Sequence, residues 1–297
     1  MNKELSKLTT IVIVTINGNI SYEVIDRLYD KYKIIIIENN LDYNFKKKVN
    51  DKYPDIEIII PNENVGFGAG NNIGIKKTLT PYVLLLGPDV SINLENIVSL
   101  EYYAQKLENF SILTPNSNGF DDLLLTSLDR LDKNFKAKIN TDHEISEIPW
   151  VPEWCMYCNV LDLKNIDFFD ESFFLYFEGL DLCKRLKKAG KKFYLINNNM
   201  ITHHFHGTSS NLEDKKTKNH WKLRNWHFYW SSFYYHKKNY SYIKSVFVHL
   251  SKFLRFFIKQ YYYLLTGNKN GYIYTKSKSD GILSAFLKRK SSYRTDL

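Results

Sequence analysis

The sequence predicts an α/β fold with a mostly parallel central sheet and a basic, aromatic, helical C-terminal segment. Three observations predict it. Short apolar runs rich in β-branched residues stand at Thr9 to Ile16, Lys33 to Ile37, Ile56 to Ile60 and Tyr82 to Leu86. About twenty residues lie between the last two, room for a loop and a crossover helix, so these runs form a β-loop-α-β unit with parallel strands. Charge is also divided along the chain. Residues 211–297 carry 18 Lys and Arg against 4 Asp and Glu, whereas the first 210 residues carry 23 against 28. A boundary near Asn211 therefore separates a mildly acidic domain, 1–210, from a basic segment, 211–297.

The first strand, Thr9 to Ile16, ends at the turn signal Asn17-Gly18-Asn19. Ser21 to Tyr32 fits a helix with Val24, Ile25 and Leu28 facing inward. The second strand leads to Glu38-Asn39-Asn40. Alternation of strand and helix gives a sheet covered on both faces, and ligands of such sheets sit beyond the carboxyl ends of the strands. The third strand is followed by Asn64-Val65-Gly66-Phe67-Gly68-Ala69-Gly70-Asn71-Asn72-Ile73-Gly74. These glycines either permit tight turns and close helix–sheet packing or form a loop that turns its amides, with Asn64, Asn71 and Asn72, towards a polar ligand. The spacing is neither a dinucleotide fingerprint nor a Walker A loop. Asp89, after Leu86-Gly87-Pro88, reaches the same crevice and suits a metal-bound phosphate, because a hard cation takes carboxylate oxygens.

A helix over Leu94 to Leu107 precedes a strand from Phe110 to Leu113 that Pro115 stops. Asn116 to Glu144 reads as a variable loop on the acceptor side. Cys155 and Cys158 lack the spaced partners of a zinc site and the helix N-terminus of a redox pair, so they read as buried cysteines. Trp150 and Trp154 offer flat faces suited to the floor of a sugar pocket, or to core packing. Leu180 to Ala189 is a helix closed by Gly190, with Glu178 and Asp181 near its start on one face. His203-His204-Phe205-His206 follows a late strand and can supply imidazole to the Asp89 side.

From Asn64 to Gly74 and Leu86 to Asp89, the chain resembles family 2 glycosyltransferases of the rhamnosyltransferase-like branch. The resemblance continues through Phe169-Asp170-Glu171-Ser172-Phe173-Phe174-Leu175-Tyr176-Phe177-Glu178, Asp181-Leu182-Cys183-Lys184-Arg185 and Ala189-Gly190, and ends near His204 and Ser209-Ser210. It covers about the first 210 residues. It implies the nucleotide-sugar-binding fold called GT-A and inverting transfer of a sugar, with rhamnose favoured, from a nucleoside-diphosphate sugar to a growing glycan. It also implies a divalent cation, Mg2+ or Mn2+, held by Asp89 and His204, with His206 as the alternative ligand. Donor contacts would fall to Thr15, Asn17, Glu38, Asn40, Asn64, Gly66, Gly68, Asn71, Asn72, Asp89 and Trp154.

Three departures from the family pattern stand out. Glu38 occupies a position where the family usually has Asp, and Gly87 one where it commonly has Asn. The family's base is the Asp of a Glu-Asp pair, whereas here the pair reads Glu178-Gly179. Glu178 can take the acceptor proton from one position earlier, Asp181 can take it instead, or the protein is a catalytically silent binding protein.

Beyond Asn211, the residues Ile243, Val246, Phe247, Leu250, Phe253, Leu254, Phe257 and Tyr261 recur at helical period, with Lys244, Lys252, Arg255 and Lys259 off the stripe. Such a helix suits an anionic membrane surface, or packs its stripe inward and leaves the charge solvated. No nucleic-acid recognition module accompanies the charge. Three cysteines argue for a reducing compartment. No secretory signal and no membrane-spanning stretch is visible. The expected location is cytoplasmic, peripheral on the inner face of a bacterial membrane, with a glycan or lipid-linked glycan as acceptor.

Overall fold

A computed structural model describes residues 5–118, 143–204 and 215–294, with 215–217 described by backbone alone. The chain forms two compact units: Met1–Phe169 with Leu182–Phe205, and Asp170–Asp181 with His206–Leu297.

The first unit is built on β1 (Thr9–Thr15), β2 (Lys33–Glu38), β3 (Glu57–Ile59) and β4 (Tyr82–Leu86), followed by β5 (Val90–Ser91), β6 (Phe110–Ser117), β7 (Ile145–Ile148), β8 (Cys155–Asn159) and β9 (Lys192–His203). Strand order is β3-β2-β1-β4-β8-β6-β9-β5, with β7 also paired to β9. The four leading strands are mutually parallel, and antiparallel β8 joins them to the mixed remainder. The family-like fold class expected from the sequence is the one observed. Every residue of β1 is buried, as is nearly every residue of β2 and β4. Both faces of the parallel half are covered, which is why those strands read as continuous apolar runs rather than alternating ones.

Helices α1 (Tyr22–Leu28), α2 (Tyr43–Lys52), α3 (Phe67–Lys77), α4 (Leu94–Lys106) and α5 (Val160–Asn165) belong to this unit. Side chains of Ser21 and Asp42 cap α1 and α2 by accepting backbone N–H groups. As expected, α1 buries Val24, Ile25 and Leu28. The glycine stretch is not a loop. It is α3 itself, with Gly66 as N-cap at φ 88°, a conformation that costs glycine little. Gly70 and Gly74 bring the helix down onto β1. A Cβ at Gly74 would lie 2.4 Å from Val12 Cγ1 and one at Gly70 would lie 2.9 Å from Val14 Cγ1, closer than carbon atoms pack. Two of the four glycines therefore serve helix–sheet contact, one of the two sequence readings.

Pro115 does not stop β6. It pairs with Ile196 of β9, and the register slips between Pro115 and Asn116. The ladder loses one N–H and absorbs the defect there. Of the expected acceptor-side loop, residues 119–142 lie outside the described residues. Cys155 and Cys158 are buried, and burial pushes both thiols well above their ordinary pKa. They are core side chains, as expected. Trp150 is buried as well.

Helix α6 (Glu178–Lys188) runs from one unit into the other along the chain. The rest of the second unit is α7 (Lys215–Asn239), α8 (Tyr242–Leu265) and α9 (Lys269–Phe286). Trp226, Trp230 and Phe233 on α7 pack with Ala285 of α9. Gly281 lets α9 approach the α7 backbone, for a Cβ there would meet the Trp226 carbonyl oxygen at 2.3 Å. Between α7 and α8, His249 is buried. Its Nδ1 donates to the Ser245 carbonyl at 2.9 Å, and its Nε2 accepts from the Ser232 hydroxyl at 3.0 Å. Burial lowers its pKa to about 4, so it is neutral at pH 7 and both ring nitrogens are matched.

The apolar stripe of α8 splits. Val246 and Phe253 are partly buried, whereas Ile243, Phe247, Leu250, Leu254, Phe257 and Tyr261 are exposed, Phe247 to 73%. The face α8 buries carries Ser245, His249 and Phe256 instead. No helix among the described residues is long and apolar enough to cross a membrane.

Candidate functional site

The first cluster forms where β1 and β2 end. The Glu38 carboxylate is wholly buried. It accepts the N–H groups of Asn17 at 3.1 Å, Gly18 at 2.9 Å and Asn40 at 2.8 Å. Three backbone donors converge on the carboxylate, so Glu38 shapes the loop. Thr15 is buried, and its hydroxyl donates to the Asn19 carbonyl at 2.9 Å. Asn17 and Asn40 remain exposed, with the Asn40 amide donating to Asn17 Oδ1.

Asn39, which sequence reasoning did not single out, ties this end of the sheet to α3. Its Nδ2 donates to the Gly66 carbonyl at 3.1 Å. Its buried Oδ1 has no hydrogen-bond partner among the described residues. The signal that could have found it is its place, directly after a parallel strand at the end where ligands bind.

The start of α3 is held by Asn64, whose Oδ1 accepts the Gly66 N–H at 3.0 Å. No side chain among the described residues caps the first amides of α3, so those donors and the positive end of the helix suit an anion. Asn71 and Asn72 do not join them. Asn71 is buried and donates to the Phe67 carbonyl at 3.1 Å. Asn72 is buried and locks Phe169 in both directions: its Nδ2 donates to the Phe169 carbonyl and its Oδ1 accepts the Phe169 N–H, each at 3.0 Å. Both were expected to face a donor. A helix sends successive side chains round its axis, and these two turn inward. Gly68 is buried within the helix.

The second cluster lies past β4. The Gly87 N–H donates to the Trp154 carbonyl at 2.7 Å, fixing the turn that delivers Asp89. The Asp89 carboxylate is 28% exposed and lies 3.2 Å from His203 Nε2. The Trp154 ring stacks on that imidazole, with centroids 4.6 Å apart and planes at 21°. The expected partner of Asp89 was His204. Its imidazole meets the Ser91 hydroxyl at 2.8 Å, and its backbone N–H donates to the Asp89 carbonyl at 2.9 Å. Successive side chains near a strand end alternate faces. Pairing of Val90 with His203 selects His203 for the Asp89 side. His206, Ser209 and Ser210 lie outside the described residues.

Among the described residues no three His, Cys, Asp or Glu side chains converge. A carboxylate oxygen and an imidazole nitrogen nevertheless form a donor pair that suits a divalent ion such as Mn2+. Two protein ligands leave most of the coordination sphere to other oxygens, the usual arrangement for a cation that works with phosphates.

Glu178 and Asp181 stand in the first turn of α6, as expected. Both are buried. Asp181 accepts Lys238 Nζ at 2.9 Å, and the same ammonium bonds Asp170 at 2.7 Å. Burial opposes ionisation of Asp170, but Lys238 and the Ser172 N–H outweigh it and hold its pKa below the ordinary value. Asp181 is thus engaged in a buried ion pair. Ahead of Glu178, Tyr176 and Phe177 both adopt left-handed backbone, at φ 69° and 71°. Each such bulky residue costs about 1–3 kcal/mol and persists only where surroundings enforce it. Here α7 enforces it. Arg224 Nε donates to the Tyr176 hydroxyl at 2.5 Å, the Ser231 hydroxyl donates to the Leu175 carbonyl at 2.9 Å, and Phe177 packs on Phe228 and Tyr235.

The chain is 26% identical over 200 residues to the low-salt glycan biosynthesis hexosyltransferase Agl10 of Haloferax volcanii, covering 61% of this chain and 62% of that protein. It is 25% identical over 218 residues to the rhamnosyltransferase WbbL of Escherichia coli K12, covering 66% and 81%. Among solved structures it resembles the mannosyltransferase PcManGT of Pyrobaculum calidifontis, in complex with GDP-Man and Mn2+. The TM-score is 0.55 at 9% identity, covering 94% of this chain and 87% of that one. It also resembles GalNAc-T7 with UDP, GalNAc and Mn2+, with a TM-score of 0.54 at 14% identity, covering 78% and 51%. These structures share the GT-A fold. Residues 10–161 match the family described as glycosyl transferase family 2, and the chain belongs to that family and has the GT-A fold.

Proposed function

We propose that the protein transfers a sugar, with inversion, from a nucleoside-diphosphate sugar to a growing cell-surface glycan. The Asp89–His203 pair beyond the end of β4 carries the reading. A divalent cation held by Asp89 and His203 would supply positive charge to the departing diphosphate. Open amides at the start of α3 suit the same anion, and Asn39 Oδ1 is an acceptor for a donor N–H. Asn17, Asn40 and Asn64 stay with the donor side. The resemblance to the rhamnosyltransferase branch and to WbbL supports dTDP-rhamnose as the leading donor. In transfer, the acceptor oxygen forms a bond to the anomeric carbon, the bond from that carbon to the diphosphate oxygen breaks, and a base receives the hydroxyl proton. Glu178 is the residue to which we assign that proton.

Incubation with a panel of nucleotide sugars, with and without Mn2+ or Mg2+, tests the proposal. Metal-dependent turnover of one donor is the expected result. Saturable nucleotide binding with no transfer or hydrolysis of any donor would instead describe a silent binding protein with Gly179 in place of the base.

Membrane attachment through α8 completes the proposal and fits a lipid-linked acceptor on the inner face of a cell membrane. Exposed Ile243, Phe247, Leu254 and Ile258 beside Lys244, Arg255 and Lys259 form a surface that soluble faces seldom carry. Full burial of such a side chain is worth about 1.5–3 kcal/mol. The double substitution Phe247→Ser with Ile258→Ser should therefore weaken sedimentation with anionic vesicles by at least ~10-fold. Added salt should weaken what remains. Undiminished binding by the double variant would place the attachment elsewhere.

A further inference from the structure

The helical unit contains a cleft of about 430 Å³ that lies outside the family-matched residues. Four cationic residues line it: Lys237 on α7, and Lys288, Arg289 and Lys290 directly after α9. Its walls include Trp230, Phe233 and Tyr234, and among the described residues its one carboxylate is Glu171. We propose that this cleft binds a phosphate or diphosphate group borne by a larger molecule, at a site separate from the donor site.

The placement of the cations is built rather than incidental. Lys288 takes a left-handed backbone at φ 56°. Around it, the Lys288 N–H donates to the Ala285 carbonyl and the Arg289 N–H to the Ser284 carbonyl, each at 3.0 Å, closing α9 as a helix-terminating turn does. Trp230 Nε1 donates to the Arg289 carbonyl at 3.0 Å, anchoring the turn on α7. The basic run is thus fastened by its backbone while its side chains stay exposed.

A solvated basic face is the ordinary alternative, and cations do favour helix C-termini. Two features argue for a ligand. Among the described residues no ion pair engages Lys237, Lys288, Arg289 or Lys290. The nearest aromatic contacts, Lys237 over Tyr234 at 5.8 Å and Lys288 over Tyr242 at 5.2 Å, leave the charges uncompensated. The cationic residues also line a concavity of ligand size with ring walls, instead of a convex surface. Arg289 offers the planar fork that pairs with phosphate oxygens, and the lysines add point charge. Tyr242 opens α8, so the Lys288 side of the cleft adjoins the end of the helix that exposes Ile243 and Phe247. A lipid headgroup can therefore bring the phosphate, as can a soluble sugar phosphate.

Titration of the full chain with pyrophosphate in EDTA, by calorimetry, tests the site without cation-dependent donor binding. Saturable binding is expected in wild type and equally in Asp89→Asn, with at least a ~10-fold loss in Arg289→Gln with Lys290→Gln. Lys288→Gln should lose affinity by a smaller factor. Competition identifies the source. Displacement of pyrophosphate by phosphatidylglycerol vesicles but not by phosphatidylcholine vesicles assigns a lipid headgroup. Displacement by a soluble sugar phosphate alone assigns a soluble ligand. No saturable binding in wild type, or equal affinity in the charge variants, would overturn the proposal, and neither result would touch the donor reading.

Discussion

Replacing Glu178 with Gln should lower the transfer rate by about 10²–10⁴-fold, the usual cost of losing a positioned base. Affinity for the donor nucleotide should change little, because the amide keeps the side chain's shape and removes only its capacity to take a proton. The structure sharpens this expectation. Gly179, where the family usually carries the base, cannot accept a proton. Asp181, the next carboxylate, is buried against Lys238, so Asp181→Asn should lower the melting temperature more than it lowers the chemical step. Glu178 follows two enforced left-handed residues, Tyr176 and Phe177. Strain held just before one carboxylate is the kind of feature that function retains and folding alone does not require.

Gly179→Asp is the complementary variant and should keep or raise activity. Wild type that is inactive until Gly179→Asp restores transfer would reveal a silenced enzyme. An active wild type matched by Glu178→Gln would remove Glu178 from the mechanism. Steady-state kinetics separates these outcomes, since a lost base lowers kcat and kcat/KM together.

Asp89→Asn should remove metal-dependent nucleotide affinity. Charge stabilisation of this kind is worth several kcal/mol, and each 1.4 kcal/mol is tenfold, so the expected loss is at least ~10²-fold. With two side-chain donors among the described residues, the cation should bind well only together with the nucleotide, and titration of Mn2+ alone should show much weaker binding. The two histidines distinguish the structural assignment from the one the sequence suggested. His203→Ala should weaken metal-dependent affinity, whereas His204→Ala, which loses a contact to Ser91, should leave it nearly unchanged. The reverse result would return the ligand to His204. Calorimetry with UDP, GDP or dTDP, with and without Mn2+, reads every arm.

What the sequence determined by itself is the part of the molecule governed by short-range periodicity. Val12, Ile35 and Leu84 lie in runs whose β-branched and apolar content specifies doubly covered strands, and Val24, Ile25 and Leu28 mark the inner face of a helix. The motif from Asn64 to Asp89 was enough to name the family, and Glu178 and Asp181 were rightly placed at a helix start. Which polar side chains turn into the fold was decided only by tertiary structure. Asn72 grips Phe169 across 97 residues, and Glu38 gathers amides from a turn 20 residues away. The choice between His203 and His204 turns on how β9 registers against β5. A one-residue shift along a strand exchanges its faces, and that shift is set by pairing between distant segments that no local pattern encodes. The same holds for α8. Its apolar stripe was legible as a helix, but which face it buried depended on Ser232 meeting His249, a contact between two helices that periodicity within either one cannot specify.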